Sequence, residues 1–168
     1  TDGFECVEFA HPEARHLETR YEKMGYIEVA RHKSKDISLY RQGTINYIVN
    51  REPGSHAARF VDEHGPCAPS MAWRVVDAQH ALKRAVDLGA TEYVGDDKSI
   101  DVPAVLGIGG SLLYFVETYG EKGPPYSADY EWLDEVDPAP EGVGFHYIDH
   151  LTHNVLRLVS AFVIKSVL

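Results

Sequence analysis

The sequence predicts an α+β domain: two tandem βαβββ units joined into one open, cupped, mixed sheet with its helices outside. Three observations carry this reading. The order of strand-like and helix-like segments repeats within the first 118 residues. Marker residues of the two halves superpose at offsets of 64 to 67 positions, Gly25 on Gly89, Gly43 on Gly110 and Tyr47 on Tyr114. A single βαβββ unit cannot bury both faces of a curved sheet, so two of them should share one.

The first unit opens with the strand-like run from Phe4 to Phe9. A helix follows from Pro12, which suits a first helical turn, to Met24. Its apolar positions Ala14, Leu17, Tyr21 and Met24 recur at spacings of three and four, and Gly25 supplies the left-handed stop. Strands are expected at Tyr26 to Ala30, Ile37 to Arg41 and Ile45 to Asn50, separated by the polar turns His32 to Asp36 and Gln42 to Thr44.

The second unit repeats the order. Met71 to Val76 is its opening strand and Asp77 its N-cap, while Ala78, Ala81, Leu82, Ala85 and Leu88 form an apolar stripe ended by Gly89. Strands are expected around Thr91 to Val94, Ile100 to Leu106 and Leu112 to Glu117, with Gly107-Ile108-Gly109-Gly110 as a hairpin turn. That glycine run leads into a strand and so lacks the helix a phosphate loop needs. The joint from Glu52 to Pro69 has room for one or two helical turns at His56 to Val61. From Tyr119 to Gly144 the composition shifts to Pro, Gly and acids, the signature of a linker. The expected organisation is a first domain over 1–118, a linker over 119–144 and the first strand of a second domain from 145 to 168.

Composition narrows the function. With 168 residues, 44% apolar and 25% charged, the chain can bury one good core. A net charge of -10, from 26 acidic against 16 basic residues, argues against nucleic acid as a partner. Arg31, Lys33, Lys35 and Arg41 read as a solvated strand face. No apolar run reaches the roughly 20 residues of a membrane span, and no secretory signal is visible, so the expected location is the cytoplasm. Cys6 and Cys67 are too isolated for a zinc site or a disulfide framework and are expected as buried thiols. Tyr40, Tyr47, Trp73, Tyr114 and Phe115 are expected to line or underlie the concave face. His11, His16, His64 and His80 are assigned no chemistry.

The candidate site residue is His150, which opens the apolar run Ile148-Asp149-His150-Leu151-Thr152-His153-Asn154-Val155. His153 lies an odd number of positions away and would face the other way in a strand, so the two imidazoles should not share a metal.

Two tandem βαβββ units resemble the vicinal oxygen chelate superfamily, which includes glyoxalases and extradiol dioxygenases. Gly3-Phe4-Glu5, Leu39-Tyr40-Arg41-Gln42-Gly43, Glu63-His64-Gly65-Pro66, Gly107 to Gly110 and above all Ile148 to Val155 resemble the N-terminal half of the bacterial 4-hydroxyphenylpyruvate dioxygenase family. The resemblance implies Fe(II) held by two His and one Glu in a C-terminal domain, with the N-terminal domain metal-free and His150 as the first ligand. It implies 4-hydroxyphenylpyruvate, an aromatic 2-oxo acid, and O2 as substrates, with homogentisate and CO2 as products. Three ligands on one face suit this chemistry because they leave positions open for a chelating 2-oxo acid and for O2.

Laid on the repeat, His150 falls near Phe4 and Ser70, and Tyr47 and Tyr114 fall near the expected carboxylate position. None of these completes a His/His/Glu set. The chain also lacks the second His and the Glu, and Leu156 to Leu168 does not match the family's next helix. By itself it should be inactive, the catalytic claim applying to a longer parent. Alternatives are a hydroxymandelate synthase-like relative, a non-catalytic vicinal oxygen chelate binding module, and a glyoxalase-type lyase with shared ligands. An exposed sheet edge and the apolar tail suggest a homo-oligomer.

Overall fold

The computed structural model describes residues 1–152. Strands β1 (Phe4–Ala10), β2 (Ile27–His32), β3 (Ile37–Gln42), β4 (Ile45–Asn50), β5 (Cys67–Arg74), β6 (Ala104–Leu106), β7 (Leu112–Val116) and β8 (Tyr130–Trp132) form one mixed sheet. Its order is β6-β7-β5-β1-β4-β3-β2-β8. Helices α1 (Arg15–Lys23), α2 (His56–His64) and α3 (Ala78–Asp87) complete the fold.

The duplication is visible in the pairing. β1 runs parallel to β4 as β5 runs parallel to β7, and the units meet along the antiparallel β1–β5 seam, with Cys6 opposite Ala72 and Glu8 opposite Ser70. Helix ends repeat too. After α1 the Tyr26 N–H donates to the Tyr21 carbonyl and Gly25 takes φ +84°; after α3 the Ala90 N–H donates to the Ala85 carbonyl and Gly89 takes φ +98°. Both are glycine stops of the Schellman type. The α3 N-cap also stands as expected, the Asp77 carboxylate accepting from the His80 N–H at 2.8 Å.

Strand alternation sorts the side chains. Phe9, Tyr40, Ile45, Tyr47 and Val49 meet Tyr21 of α1, while Met71, Val105, Leu113 and Phe115 meet Ala78, Leu82 and Ala85 of α3. The opposite, inner face carries Cys6, Leu39, Ile48, Ala72, Leu112 and Tyr114.

Several expectations are corrected. Of the five aromatics expected to line or underlie the concave face, only Tyr114 lines it; Tyr40 and Tyr47 lie on the opposite face beneath α1, and Trp73 and Phe115 on the α3 side. The period of two requires this, since Phe115 must oppose its neighbour. α1 starts at Arg15, after Pro12. Thr91 to Val94 forms only one bridge, Glu92 to Val105, and the next strand is cut to Ala104–Leu106 because Pro103 has no N–H to give a ladder. The stretch before it instead turns Ile100 into the core.

The largest departure is the segment from 119. Despite its linker composition it supplies β8, antiparallel to β2, and buries Tyr126 and Tyr130 in the inner face with Trp132 and Val136 packed beside them. Aromatics between prolines and glycines override the polar average.

Candidate functional site

Two places gather chemistry. The first is the floor of the inner cup, where β1 presents Glu5 and Glu8, both almost wholly buried. Glu8 accepts from the Asn50 amide at 2.7 Å and from the Ser70 hydroxyl across the seam. Burial pushes its carboxyl above the ordinary range, and the hydrogen bonds from Ser70 and Asn50 offset part of that. Glu5 accepts from Arg74 at 2.7 Å and from the Tyr126 hydroxyl at 3.0 Å. Its pKa is likewise raised by burial, against the opposing pull of Arg74. Each carboxylate is thus used up by protein donors, and Tyr126 and Tyr130 occupy the space above them.

Among the described residues no group of three His, Cys, Asp or Glu could hold a metal ion. Ser70, where the repeat lays His150, is tied to Glu8; Phe4 packs on Trp73 with ring centroids 4.4 Å apart.

The second place is the strap from 133 to 152, which runs beside the β3–β4 turn. Gln42, at 0% exposure, holds it. The Gln42 Nε2 donates to the Met24 carbonyl at the end of α1, while Oε1 accepts from the N–H of Val143 at 2.6 Å and of Phe145 at 3.3 Å. The Gly43 N–H donates to the Pro140 carbonyl at 2.7 Å, the Thr44 hydroxyl to the His146 carbonyl at 2.5 Å, and Arg41 Nη1 to the Pro138 carbonyl at 2.7 Å. Arg41 also lies over the Trp132 ring, 5.0 Å from its centroid. Ile148 packs against the cluster of Tyr21, Tyr26 and Tyr40.

Two residues further on stands the pair singled out in the sequence. His150 Nδ1 and Asp149 Oδ2 are 2.7 Å apart, and both side chains are 75% exposed. An imidazole that gives Nδ1–H to a neighbouring carboxylate leaves Nε2 as the nitrogen that can bind a metal. Residues 145–152 have no strand pairing, and His153 and the tail beyond lie outside the described residues.

The sequence profile of the N-terminal domain of hydroxyphenylpyruvate dioxygenase matches residues 1–131. The chain belongs to this family. The match ends within β8, so it takes in residues 119–131 of the segment whose composition reads as linker. A 4-hydroxyphenylpyruvate dioxygenase from Pseudomonas sp. (strain P.J. 874) is 48% identical over 157 residues, covering 92% of this chain and 44% of that protein. Hemolysin VllY of Vibrio vulnificus (strain CMCP6) is 46% identical over 164 residues, covering 94% and 46%. A solved xylose isomerase-like TIM barrel/4-hydroxyphenylpyruvate dioxygenase fusion protein superposes with a TM-score of 0.79 at 37% identity, covering 89% of this chain and 24% of that one. The chain spans less than half the length of the curated relatives it matches.

Sequence reasoning singles out His150 and does not single out Gln42, Glu8 or Tyr126. Gln42 had a signal, since it sits in the family-like run Leu39 to Gly43. Tyr126 and Tyr130 were visible as aromatics in an otherwise polar stretch. Glu8 had none, because a lone acid in a strand reads as solvent-facing.

Proposed function

We propose that this chain is the N-terminal half of an Fe(II)-dependent dioxygenase that converts 4-hydroxyphenylpyruvate and O2 to homogentisate and CO2. The observation that carries it is the Asp149–His150 pair, delivered at the end of a strap anchored to a domain of the hydroxyphenylpyruvate dioxygenase family. His150 Nε2 would hold the iron together with ligands from the second half. Bound there, Fe(II) supplies open positions for a chelating 2-oxo acid and for O2. Asp149 orients the imidazole and keeps its proton on Nδ1, and the first domain contributes a rigid support rather than a reaction chamber.

Under this reading residues 145–168 open a second domain, and the protein works in the cytoplasm as a homo-oligomer. Among the described residues no helix is long and apolar enough to cross a membrane. The alternative of a non-catalytic binding module loses ground because Tyr126 and Tyr130 fill the cup that would receive its ligand. The choice between homogentisate and hydroxymandelate falls to residues beyond this chain.

A second reading has one observation in its favour: the fusion protein, in which a domain of this shape belongs to a chain about four times longer, of which it covers 24%. The parent would then carry a further domain, and sequencing the gene on both sides of this segment decides it. The main reading is tested by supplying the longer polypeptide with Fe(II), 4-hydroxyphenylpyruvate and O2. Homogentisate and CO2 in equal amounts support it; binding of the acid without O2 uptake removes it.

A further inference from the structure

The strap that carries His150 is held by one buried side chain, and that side chain touches neither the imidazole nor any substrate space. Gln42 uses both ends of its amide: Nε2 on the Met24 carbonyl at the end of α1, Oε1 on the N–H groups of Val143 and Phe145. The partners fix the amide's orientation, since a flipped group would set its NH2 against two N–H donors. The backbone around it is shaped for close approach. Gly142 takes φ +65°, and a Cβ there would run into the Gln42 side chain; Gly43 takes φ +56°, and a Cβ there would lie 2.9 Å from the Phe145 carbonyl oxygen.

From these contacts the chain reaches His150 with little freedom left. The Thr44–His146 hydrogen bond and the packing of Ile148 on the tyrosine cluster are the last anchors. Two residues of chain span at most about 7 Å. A displacement at Gln42 is therefore passed to the imidazole rather than absorbed by slack.

We propose that Gln42 is a positioning residue for the iron ligand His150: its amide registers the strap against α1 and the β3–β4 turn, and so sets where the imidazole is presented to the second domain. This rests on the reading of His150 as an iron ligand. It gives a task to the Leu39 to Gly43 run and accounts for an otherwise metal-free domain bearing on iron chemistry. Groups hydrogen-bonded directly to a metal ligand change metal affinity by about 10- to 100-fold when replaced, and Gln42, which acts on His150 through the strap, should fall at the lower end of that range.

The test uses the longer polypeptide, with Fe(II) affinity measured by competition against a chelator and hydrogen exchange measured over 140–148. Gln42→Ala should lose amide protection at Val143 and Phe145 and weaken Fe(II) binding about tenfold. Gln42→Glu keeps an acceptor for both N–H groups but sets its second oxygen against the Met24 carbonyl, so it should restore protection at Val143 and Phe145, and the affinity, only in part. Should Gln42→Ala fail to fold, Gly142→Ala keeps the Gln42 residue but sets a Cβ against its side chain, displacing the same strap, and should weaken Fe(II) binding similarly. Lost protection with unchanged Fe(II) affinity in these variants overturns the inference. His150→Ala run alongside separates the two readings: if it leaves Fe(II) affinity unchanged, the ligand assignment itself has failed, whereas a loss there with none in the strap variants sinks the positioning role alone.

Discussion

Ser70 on β5 donates its hydroxyl to the buried carboxylate of Glu8 on β1, so the two units of the duplicated sheet are joined at their seam by a polar contact in the middle of an apolar face. In a cup that bound metal this floor would carry ligands. Here the same ground is held by groups that satisfy one another, and the inner face becomes core.

Glu8→Gln tests that description through pH. The Glu8 carboxyl is pushed by burial above its usual 4.5, so the folded protein binds its proton more tightly than the unfolded chain does. Its contribution is fully present below that usual value and is lost as pH rises through the folded-state pKa. Denaturant unfolding of both proteins from pH 4 to pH 8 should show the wild type losing stability relative to Glu8→Gln as pH increases. A relative gain contradicts the assignment. Glu8→Ala, which leaves Asn50 and Ser70 without an acceptor, should cost about 1–3 kcal/mol or more at every pH.

Tyr126 should be a pillar of the inner core. Replacing it by Ala removes a fully buried ring and should cost about 3–5 kcal/mol, as for other large core aromatics. Tyr126→Phe keeps the ring and loses only the hydrogen bond to Glu5, for about 1–2 kcal/mol. Equal, small effects of both would mean that the segment from 119 to 132 is not part of the folding unit.

Here the limits of the sequence show in physical terms. Periodicity and glycine stops disclosed the two units, because α1 and α3 end the same way and repeat at fixed spacing. Average composition hid β8 and the strap, because three or four aromatics and one Gln42 amide decide where that segment goes, and an average over 26 residues does not weigh them. The inner and outer assignment of Tyr47 and Phe115 required the strand register, which the sequence leaves open. His150 stands out in the sequence only through its motif.

Arg51 should pin α1 to the sheet. It bonds Glu18 on α1 at 2.8 Å, Asp36 at 2.9 Å and the Ser38 hydroxyl at 2.5 Å. Arg51→Met should destabilise the protein by about 1–3 kcal/mol at low ionic strength, with the gap to wild type narrowing in 1 M salt. A gap that salt leaves untouched would assign the loss to packing.

The thiols should be quiet. Burial pushes Cys67 up to about 11 and Cys6 further, and the two are free rather than bridged. At pH 8 a thiol reagent should modify Cys6 only on unfolding and Cys67 slowly, since both are protonated in the folded chain. Rapid labelling of both in native protein would contradict the packing around β1 and β5.

The central claim is that this domain hands an iron ligand to a second one. Its most direct measurement is the Fe(II) affinity of the longer polypeptide before and after His150→Ala, with circular dichroism confirming that each is folded. The account predicts a fall of at least about a hundredfold, since loss of a ligand exceeds the 10- to 100-fold cost of losing the groups around one. Unchanged affinity in a folded His150→Ala protein would contradict it.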